Sequence, residues 1–285
     1  MLKTTTIPSG YMASSEDMAQ CDWVLVGMPY DGTTSFRPGT RFGPEAIRQA
    51  SGGLETYSPK LDKDLQDLAF FDAGDLDLPI GNREACLDMI RQAATEVLSK
   101  GKRWMGLGGE HLATVPTIQA YVEKYPHLAV VQFDAHADLR HDYLGETLSH
   151  ACAMRRVLEH LKGPQYLSQI GIRSGPKSEW QWIREQGSVV ETPLALSERL
   201  GKLPADTPIF VTIDLDVFDP SLFPGTGTPE PGGLTFQDFY QWLAVLQKHP
   251  IIGVDVMELS PHYDASGVSS LVAAKTVREC LLAFS

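Results

Sequence analysis

The chain has 285 residues, of which 43% are apolar and 21% are charged, and its formal net charge is −12. This composition is typical of a folded globular protein and excludes a largely disordered chain. The acidic balance argues against nucleic acid and anionic membranes as partners, because both attract basic surfaces, whereas it suits a small cationic molecule. No apolar run approaches the roughly 20 residues of a membrane helix, and the N-terminus lacks the apolar region of a signal peptide.

The predicted elements begin after an N-terminal arm, residues 1–20, which we expect to be short and either ordered or frayed. Seven apolar runs are predicted to be strands: 22–29, 69–74, 103–109, 128–135, 167–173, 208–217 and 251–259. Helical patterns cover 85–101, 114–125 and 235–249, with Gly101 as a C-cap and Thr235 as an N-cap. Strands that alternate with helices and carry apolar residues on both faces are typical of a parallel α/β sheet. Because we find no linker or repeat, we expect a single domain, 1–285.

The cysteines indicate a reducing environment. They are Cys21, Cys86, Cys152 and Cys280, which are widely separated and form no CxxC pair. We expect reduced, mostly buried thiols in a cytoplasmic protein. A disulfide is the alternative interpretation.

Polar side chains that can bind metal ions follow three of the predicted strands. They are His111 in LGGEH, Asp134, His136 and Asp138 in FDAHAD, and Asp214 and Asp216 in IDLDV. Alternate residues of an extended chain face one way, so the members of each motif would converge. The two glycines before the first histidine would let the backbone turn sharply. Ligands of parallel sheets bind beyond the carboxyl ends of the strands, so the three motifs would meet at one edge.

This set of side chains favours divalent metal ions. Carboxylates held this close repel one another unless a cation lies between them, and burying them unpaired is costly. Two histidines and four aspartates suffice for two ions, and an oxygen-rich set without cysteine favours Mn²⁺, although Zn²⁺, Co²⁺ and Ni²⁺ stay possible. Any one motif alone could equally be a solvated turn or a helix cap. The occurrence of all three favours the metal interpretation.

Taken together, the motifs resemble those of the ureohydrolases, the binuclear manganese hydrolases that include arginases and agmatinases. The resemblance extends over roughly residues 20–283, through MPYDGTTSFRPGTRFGPEAIR, GGEH, FDAHAD, IDLDVFDP, PGTGTPEPGG and VDVMELSPHYD. It is strongest to the agmatinase branch, through SFRPGTRFGP, LETYSP, SHACAMRR and GIRSG. It implies a three-layer α/β/α fold with a mainly parallel eight-stranded sheet and an active site at the strand ends.

The resemblance also implies roles for individual residues. One ion would be held by His111, Asp134, Asp138 and Asp214, and the other by Asp134, His136, Asp214 and Asp216. A hydroxide bridging two Mn²⁺ ions would attack the guanidinium carbon, and Asp138 would pass a proton to the leaving nitrogen. Glu258 would pair with the guanidinium, and His150 would shuttle protons. The alternatives are a strand-end salt bridge for Glu258 and a structural histidine at a helix N-terminus for His150.

The expected reaction is hydrolysis of agmatine to putrescine and urea. The segment LRHDYLGETL, 139–148, lacks the asparagine and serine with which the family's arginases hold an α-amino acid. Asp142, Tyr143 and Glu146 would instead suit a distal ammonium group. The alternatives are 4-guanidinobutyrate or another guanidine compound as substrate, a non-catalytic family member, and a mononuclear zinc deacetylase of the same broad fold.

Several properties stay open at this level. The resemblance implies a homotrimer or homohexamer, but no interface can be identified from the sequence. The roles of His141, His262 and Arg37 are likewise undetermined.

Overall fold

The computed structural model describes residues 3–5 and 10–285. Within them the strands are β1 Thr4–Thr5, β2 Trp23–Met28, β3 Tyr57–Ser58, β4 Lys63–Asp64, β5 Phe70–Leu76, β6 Arg103–Gly108, β7 Ala129–Phe133, β8 Leu167–Ile170, β9 Ile209–Asp214 and β10 Ile251–Met257. Eight of them form one sheet in the order β1-β5-β2-β6-β10-β9-β7-β8. All neighbours are parallel except β1, which pairs antiparallel with β5. The short strands β3 and β4 form a separate antiparallel ribbon.

Helices cover both faces of this sheet. They are α1 Gly43–Ser51, α2 Arg83–Ser99, α3 Thr114–Lys124, α4 Ala153–Leu158, α5 Lys177–Gln186, α6 Pro193–Leu200, α7 Phe236–Leu246 and α8 Val268–Ala283. The apolar side chains of α1, α6, α7 and α8 belong to one buried cluster, and those of α2, α3, α4 and α5 to a second. The predicted three-layer α/β/α architecture is therefore confirmed.

Strand β2 shows why the strands are apolar throughout. Trp23 and Leu25 pack into the first cluster, whereas Val24 and Val26 pack into the second. Alternate residues of a strand point to opposite faces, and here each face meets a layer of helices. A strand in this position needs apolar residues at every position, which explains the continuous runs in the sequence.

All seven predicted strands are present, but six of them end one to three residues earlier than predicted and β5 ends two residues later. The strand predicted over 128–135 ends at Phe133, and the one predicted over 208–217 ends at Asp214 and is followed by a 3₁₀ turn. Thr235 is the N-cap of α7: its hydroxyl accepts the Asp238 N–H, and the Asp238 carboxylate accepts the Thr235 N–H. The C-cap of α2 is Lys100 rather than Gly101, which follows it with a positive φ of 71°.

The N-terminal arm is described only in part, because residues 1–2 and 6–9 of the predicted arm lie outside the described residues. Within the described part, Tyr11 is buried and its hydroxyl donates to the Ala274 carbonyl over 2.6 Å. This end of the arm is therefore ordered against α8.

The predictions about cysteines and membrane helices can also be compared with the structure. All four cysteines are buried and free, so the thiol prediction is confirmed and the disulfide alternative is wrong. Among the described residues, no helix combines the length and apolarity that crossing a bilayer requires.

Candidate metal centre and substrate cavity

The six predicted metal ligands meet beyond the carboxyl ends of β6, β7 and β9. His111 is central to the first group: its Nδ1 lies 3.0 Å from Asp134 Oδ2, 3.2 Å from Asp138 Oδ2 and 3.4 Å from Asp214 Oδ2. All four side chains are buried. The ligand atoms of His111, Asp134 and Asp138 lie within 4.8 Å of one another, close enough to share one metal ion.

A second group lies beside the first and shares Asp134 with it. The ligand atoms of Asp134, His136 and Asp216 lie within 4.8 Å of one another. His136 Nδ1 is 3.0 Å from Asp216 Oδ2 and 3.7 Å from Asp134 Oδ1. Asp214 lies close by, because its Oδ1 accepts the backbone N–H of Asp216 over 2.9 Å. The arrangement offers two adjacent cation positions with one carboxylate common to both.

The side chains converge for a different reason than the sequence analysis predicted. The chain does not stay extended after Phe133: Asp134 Oδ1 accepts the His136 N–H over 2.6 Å, which turns the backbone. Asp138 has a positive φ of 53°, a conformation that costs a non-glycine residue free energy and is often found at functional sites. A compact loop, rather than a continued strand, brings these side chains together.

The two glycines of LGGEH also have a different role from the predicted one. Neither belongs to the positive-φ residues. A Cβ at Gly109 would lie 1.9 Å from the Tyr30 carbonyl oxygen, and one at Gly108 would lie 2.1 Å from Met257 Sδ. The glycines are required because neighbouring atoms approach the backbone closely, so that His111 can sit directly above the sheet.

The chemistry of the donor set fits a divalent cation. His111 Nδ1 is buried and makes no hydrogen bond, although three carboxylate oxygens surround it. Burial and the neighbouring carboxylates raise the pKa of Asp214 well above its ordinary value. Burial alone would lower the pKa of His136, but Asp216 and Asp134 raise it. Buried carboxylates this close together repel one another and destabilise the fold unless a positive charge, such as that of a cation, lies among them.

Glu258 and His150 lie beside the first group. Glu258 follows β10 with a φ of 67°, and its carboxylate accepts the His111 N–H over 2.8 Å. His150 Nδ1 lies 3.6 Å from Glu258 Oε1. Burial lowers the pKa of His150, but Glu258 and Asp138 outweigh this effect and raise it to about 9. Two of the three predicted catalytic side chains, Glu258 and His150, are thus neighbours at the edge of the metal-ligand cluster.

A cavity of about 210 Å³ opens over these groups. Its lining includes Ser35, His136, Asp138, Arg140, Tyr143, His150, Glu179, Asp214 and Thr228. Asp142 and Glu146, predicted to receive a distal ammonium, do not line it. The Glu146 carboxylate instead forms an ion pair with Arg83 over 2.5 Å, and that of Asp142 accepts the Gly145 N–H. Of the three residues proposed for this role, only Tyr143 lies at the cavity.

The three residues left open by the sequence belong to neither ligand group among the described residues. His141 is 75% exposed, with its Nδ1 3.9 Å from Asp142. The His262 ring packs edge-to-face with Phe42, and the Arg37 guanidinium lies 5.1 Å from the ring centre of Phe36 and 5.2 Å from that of Tyr263. These contacts give none of the three a place in the described cavity lining.

Sequence reasoning missed the loop that supports His150. The buried Glu110 carboxylate accepts the Thr33 N–H over 2.7 Å, and Thr33 Oγ1 accepts the His150 N–H over 3.0 Å. The Ser35 N–H donates to His150 Nε2 over 3.2 Å, and the Ser35 hydroxyl lies 3.0 Å from the same nitrogen. The only indication in the sequence was Glu110, the acidic residue next to His111 in GGEH. It directly follows an apolar run, where a carboxylate is expected to be buried and to need a partner, and the sequence does not identify that partner.

Comparison with known proteins identifies the family. A family model described as the arginase family matches residues 21–283. This chain belongs to the arginase family. It is 48% identical over 279 residues to a Bacillus subtilis protein named agmatinase, with 96% of each chain covered. It is 34% identical to proclavaminate amidinohydrolase of Streptomyces clavuligerus, over 93% of this chain and 88% of that protein.

Solved structures agree with the family assignment. The crystal structure of agmatine ureohydrolase of Thermoplasma volcanium superposes with a TM-score of 0.88 at 29% identity, over 98% of this chain and 95% of that one. The protein is therefore a ureohydrolase, and the family implies a binuclear site for divalent metal ions. The described residues include two clusters of histidine and aspartate that could hold such ions. The predicted fold and enzyme class are confirmed.

Proposed function

We propose that the protein hydrolyses agmatine to putrescine and urea, using two Mn²⁺ ions held by the six clustered ligands. The observation that carries the proposal is the position of His111 Nδ1, which is buried, has no hydrogen bond and is surrounded by three carboxylates. The name of the Bacillus subtilis relative supports agmatine as the substrate. The relative named proclavaminate amidinohydrolase indicates that members with this fold also act on other compounds, so the substrate must be tested.

The ligands divide between two cation positions that share two carboxylates. His111 and Asp138 would belong to the first position, His136 and Asp216 to the second. Asp134 would bridge them, in agreement with its membership of both clusters, and Asp214 would be the second bridging ligand. When bound, two divalent cations lower the pKa of a water molecule between them and so supply a nucleophile near neutral pH.

Glu258 would bind and orient the guanidinium. Its carboxylate is buried beside His111 and lies just behind the cavity lining, 3.6 Å from His150, which lines the cavity. A carboxylate can accept two parallel N–H donors. The positive φ of Glu258 turns the side chain toward the cluster immediately after β10 ends. A backbone held in this conformation is consistent with a positioning role in a functional site.

Proton transfer would fall to Asp138 and His150. Hydrolysis adds water to the guanidinium carbon, breaks the bond from that carbon to the substrate's chain nitrogen and delivers a proton to this nitrogen as it leaves. Both side chains line the cavity, so either can reach a reacting group there. Asp138 lies next to the other ligands and would move the proton within the site, whereas His150, at the edge of the cluster, would exchange protons with solvent.

A second candidate substrate, 4-guanidinobutyrate, is favoured by one observation. Arg140 lines the cavity and stacks over the Tyr143 ring at 5.3 Å, so a cation is available to a distal carboxylate. Buried Glu179 lines the same cavity and would instead attract a distal ammonium. The distal carboxylate of 4-guanidinobutyrate would therefore be attracted by Arg140, and the distal ammonium of agmatine by Glu179, in the same cavity.

The decisive experiment measures urea release from agmatine, 4-guanidinobutyrate and arginine by the metal-stripped protein reloaded with MnCl₂. We expect agmatine to have the highest kcat/KM. In Arg140→Gln, agmatine turnover should be retained or improved, since a like charge has been removed. Preferential turnover of 4-guanidinobutyrate that is lost in Arg140→Gln would overturn the agmatine assignment. A chain that binds no metal and releases no urea would be a non-catalytic family member.

Three further expectations belong to this proposal: a single domain, a location in the cytoplasm, and a homotrimer or homohexamer. Light scattering on the purified protein measures the oligomeric state directly. A monomeric mass would contradict the last expectation without affecting the metal centre.

A further inference from the structure

A row of four buried polar side chains crosses the sheet beneath the metal ligands. In sheet order they are Asp255 on β10, Thr212 on β9, Gln132 on β7 and Gln169 on β8, paired in register from each strand to the next. All four are fully buried. We call them the polar row. Because a buried polar group without a partner costs about 1–3 kcal/mol, four of them in an otherwise apolar sheet need a reason.

One half of the polar row supports His111. The Thr212 hydroxyl lies 2.8 Å from His111 Nε2 and 3.4 Å from the Thr114 hydroxyl. Thr114 in turn donates to Asp255 Oδ2 over 2.9 Å. With a cation bound at His111 Nδ1, the neutral ring would carry its proton on Nε2 and donate a hydrogen bond to the Thr212 hydroxyl. The Thr212 hydroxyl can then donate to the Thr114 hydroxyl, which donates to Asp255.

Asp255 is suited to end this chain. Burial raises its pKa to about 6, although Thr212, His111 and Thr114 act to lower it. The carboxyl group is therefore mainly ionised at neutral pH and can only accept hydrogen bonds. A buried anion at this point favours the tautomer of His111 that leaves Nδ1 free to bind a cation.

The other half supports Asp134 and the loop that follows it. Gln132 Nε2 donates to Asp134 Oδ2 over 2.6 Å and to the His136 carbonyl over 3.2 Å. Gln169 Nε2 donates to Gln132 Oε1 over 2.6 Å, and Ser188 donates to Gln169 Oε1 over 2.8 Å. This chain of hydrogen bonds fixes the orientation of the Gln132 amide, and through it the Asp134 carboxylate.

We infer that the polar row holds His111 and Asp134 in their cation-binding orientations, with Thr212 and Gln132 as positioning residues. The inference rests on the proposed metal centre and extends it to residues that touch no cation or substrate. It predicts that affinity for the cations depends on hydroxyl and amide groups inside the sheet. Outer partners of metal ligands typically contribute about 10–100-fold to affinity.

The test is a calorimetric titration of the metal-stripped protein with MnCl₂. Thr212→Val removes the hydroxyl and keeps the shape, and we expect the affinity of the His111 position to fall by about 10–100-fold. Thr212→Ser retains the hydroxyl and should stay close to wild type. Thr117→Val is the matched control, because Thr117 is also fully buried but bonds only to the Ala113 carbonyl and Met28 sulfur of the described residues.

Combined variants test whether the residues form one chain. Thr212→Val together with Asp255→Asn should bind Mn²⁺ no more weakly than the weaker of the two single variants, because each breaks the same chain. Gln132→Met should lower affinity through Asp134 independently of that chain. The unfolding midpoint of each metal-stripped variant shows whether it still folds, and it should differ little between Thr212→Val and Thr117→Val.

Three outcomes would overturn the inference. One is a Thr212→Val protein that binds Mn²⁺ within twofold of wild type. Another is a Thr212→Ser protein that binds as weakly as Thr212→Val, since the position would then matter only for packing. The third, a wild-type chain that binds no Mn²⁺, would overturn the proposed function together with the inference, and so is distinguishable from the first two.

Discussion

The backbone N–H of Ser35 donates to Nε2 of His150 over 3.2 Å. A nitrogen that accepts this bond carries no proton in the neutral ring, so the proton of neutral His150 is on Nδ1, which faces Glu258 at 3.6 Å. The loop containing Ser35 therefore favours this tautomer once the ring of the proposed proton shuttle, whose pKa is raised to about 9, has lost a proton. The same loop is tied to Glu110, the neighbour of a metal ligand, through Thr33.

His150→Asn should lower kcat by about 10²–10⁴-fold, the usual contribution of a general acid or base. The bound Mn²⁺ should stay the same, because His150 is outside both ligand clusters. Urea release and metal content per chain measure the two quantities. His141→Asn is the matched control, since that exposed histidine lies outside the cavity lining and its loss should change neither. Equal turnover by wild type and His150→Asn would exclude the shuttle role.

Removal of the cations should destabilise the protein. The clustered carboxylates repel one another once no positive charge lies among them, and each cation at a hundredfold excess over its Kd adds about 2.7 kcal/mol to the free energy of unfolding. We expect the unfolding temperature to fall by several degrees with a chelator and to recover with MnCl₂. Asp214→Asn should lose most of this recovery. A thermal transition that is insensitive to chelator and metal would contradict a cation site at this cluster.

Gly109→Ala should destabilise the fold by about 1–3 kcal/mol or more, the usual cost of inserting an atom into a packed interior. The new Cβ would lie 1.9 Å from the Tyr30 carbonyl oxygen, and backbone cannot move aside as a flexible side chain can. Gly52→Ala is the control: its φ is −64° and the new Cβ would lie 3.7 Å from the Gln49 carbonyl oxygen. Urea unfolding of the two variants and the wild type measures the differences in free energy of unfolding. Similar midpoints would show that the backbone around Gly109 and Tyr30 can relax.

The sequence was sufficient to predict the fold class and the membership of the ligand cluster. Doubly buried strands such as β2 give continuous apolar runs, and the polar residues that follow them are easily recognised. The way in which Asp134 and Asp138 converge could not be predicted, because it depends on a turn made by one aspartate's own side chain and on a positive φ at the other. Both are local conformations that many sequences avoid.

The support around the cluster was harder to predict because it depends on contacts between distant parts of the chain. Thr33 and Glu110 are 77 residues apart, and nothing at either position specifies the other. The opposite error occurred at Glu146, where an acidic residue in the expected segment is neutralised by Arg83 on another element. The sequence indicator of the polar row was a polar residue inside each of the four strands that form it, such as Gln132 two positions before Asp134.

The stability of the protein in acid should depend on Glu279, far from the metal centre. Burial would raise its pKa, but Ser58, Arg278 and Lys275 lower it below the ordinary 4.5. A depressed pKa in the folded state stabilises the protein above the unfolded-state pKa, and this stabilisation is lost as the pH falls through the folded-state value. Glu279→Gln should therefore unfold more easily than wild type at pH 7, with a difference that shrinks below pH 4.5. Urea unfolding at several pH values measures it, with Glu123→Gln as the exposed control. A difference that grows in acid would contradict the assignment.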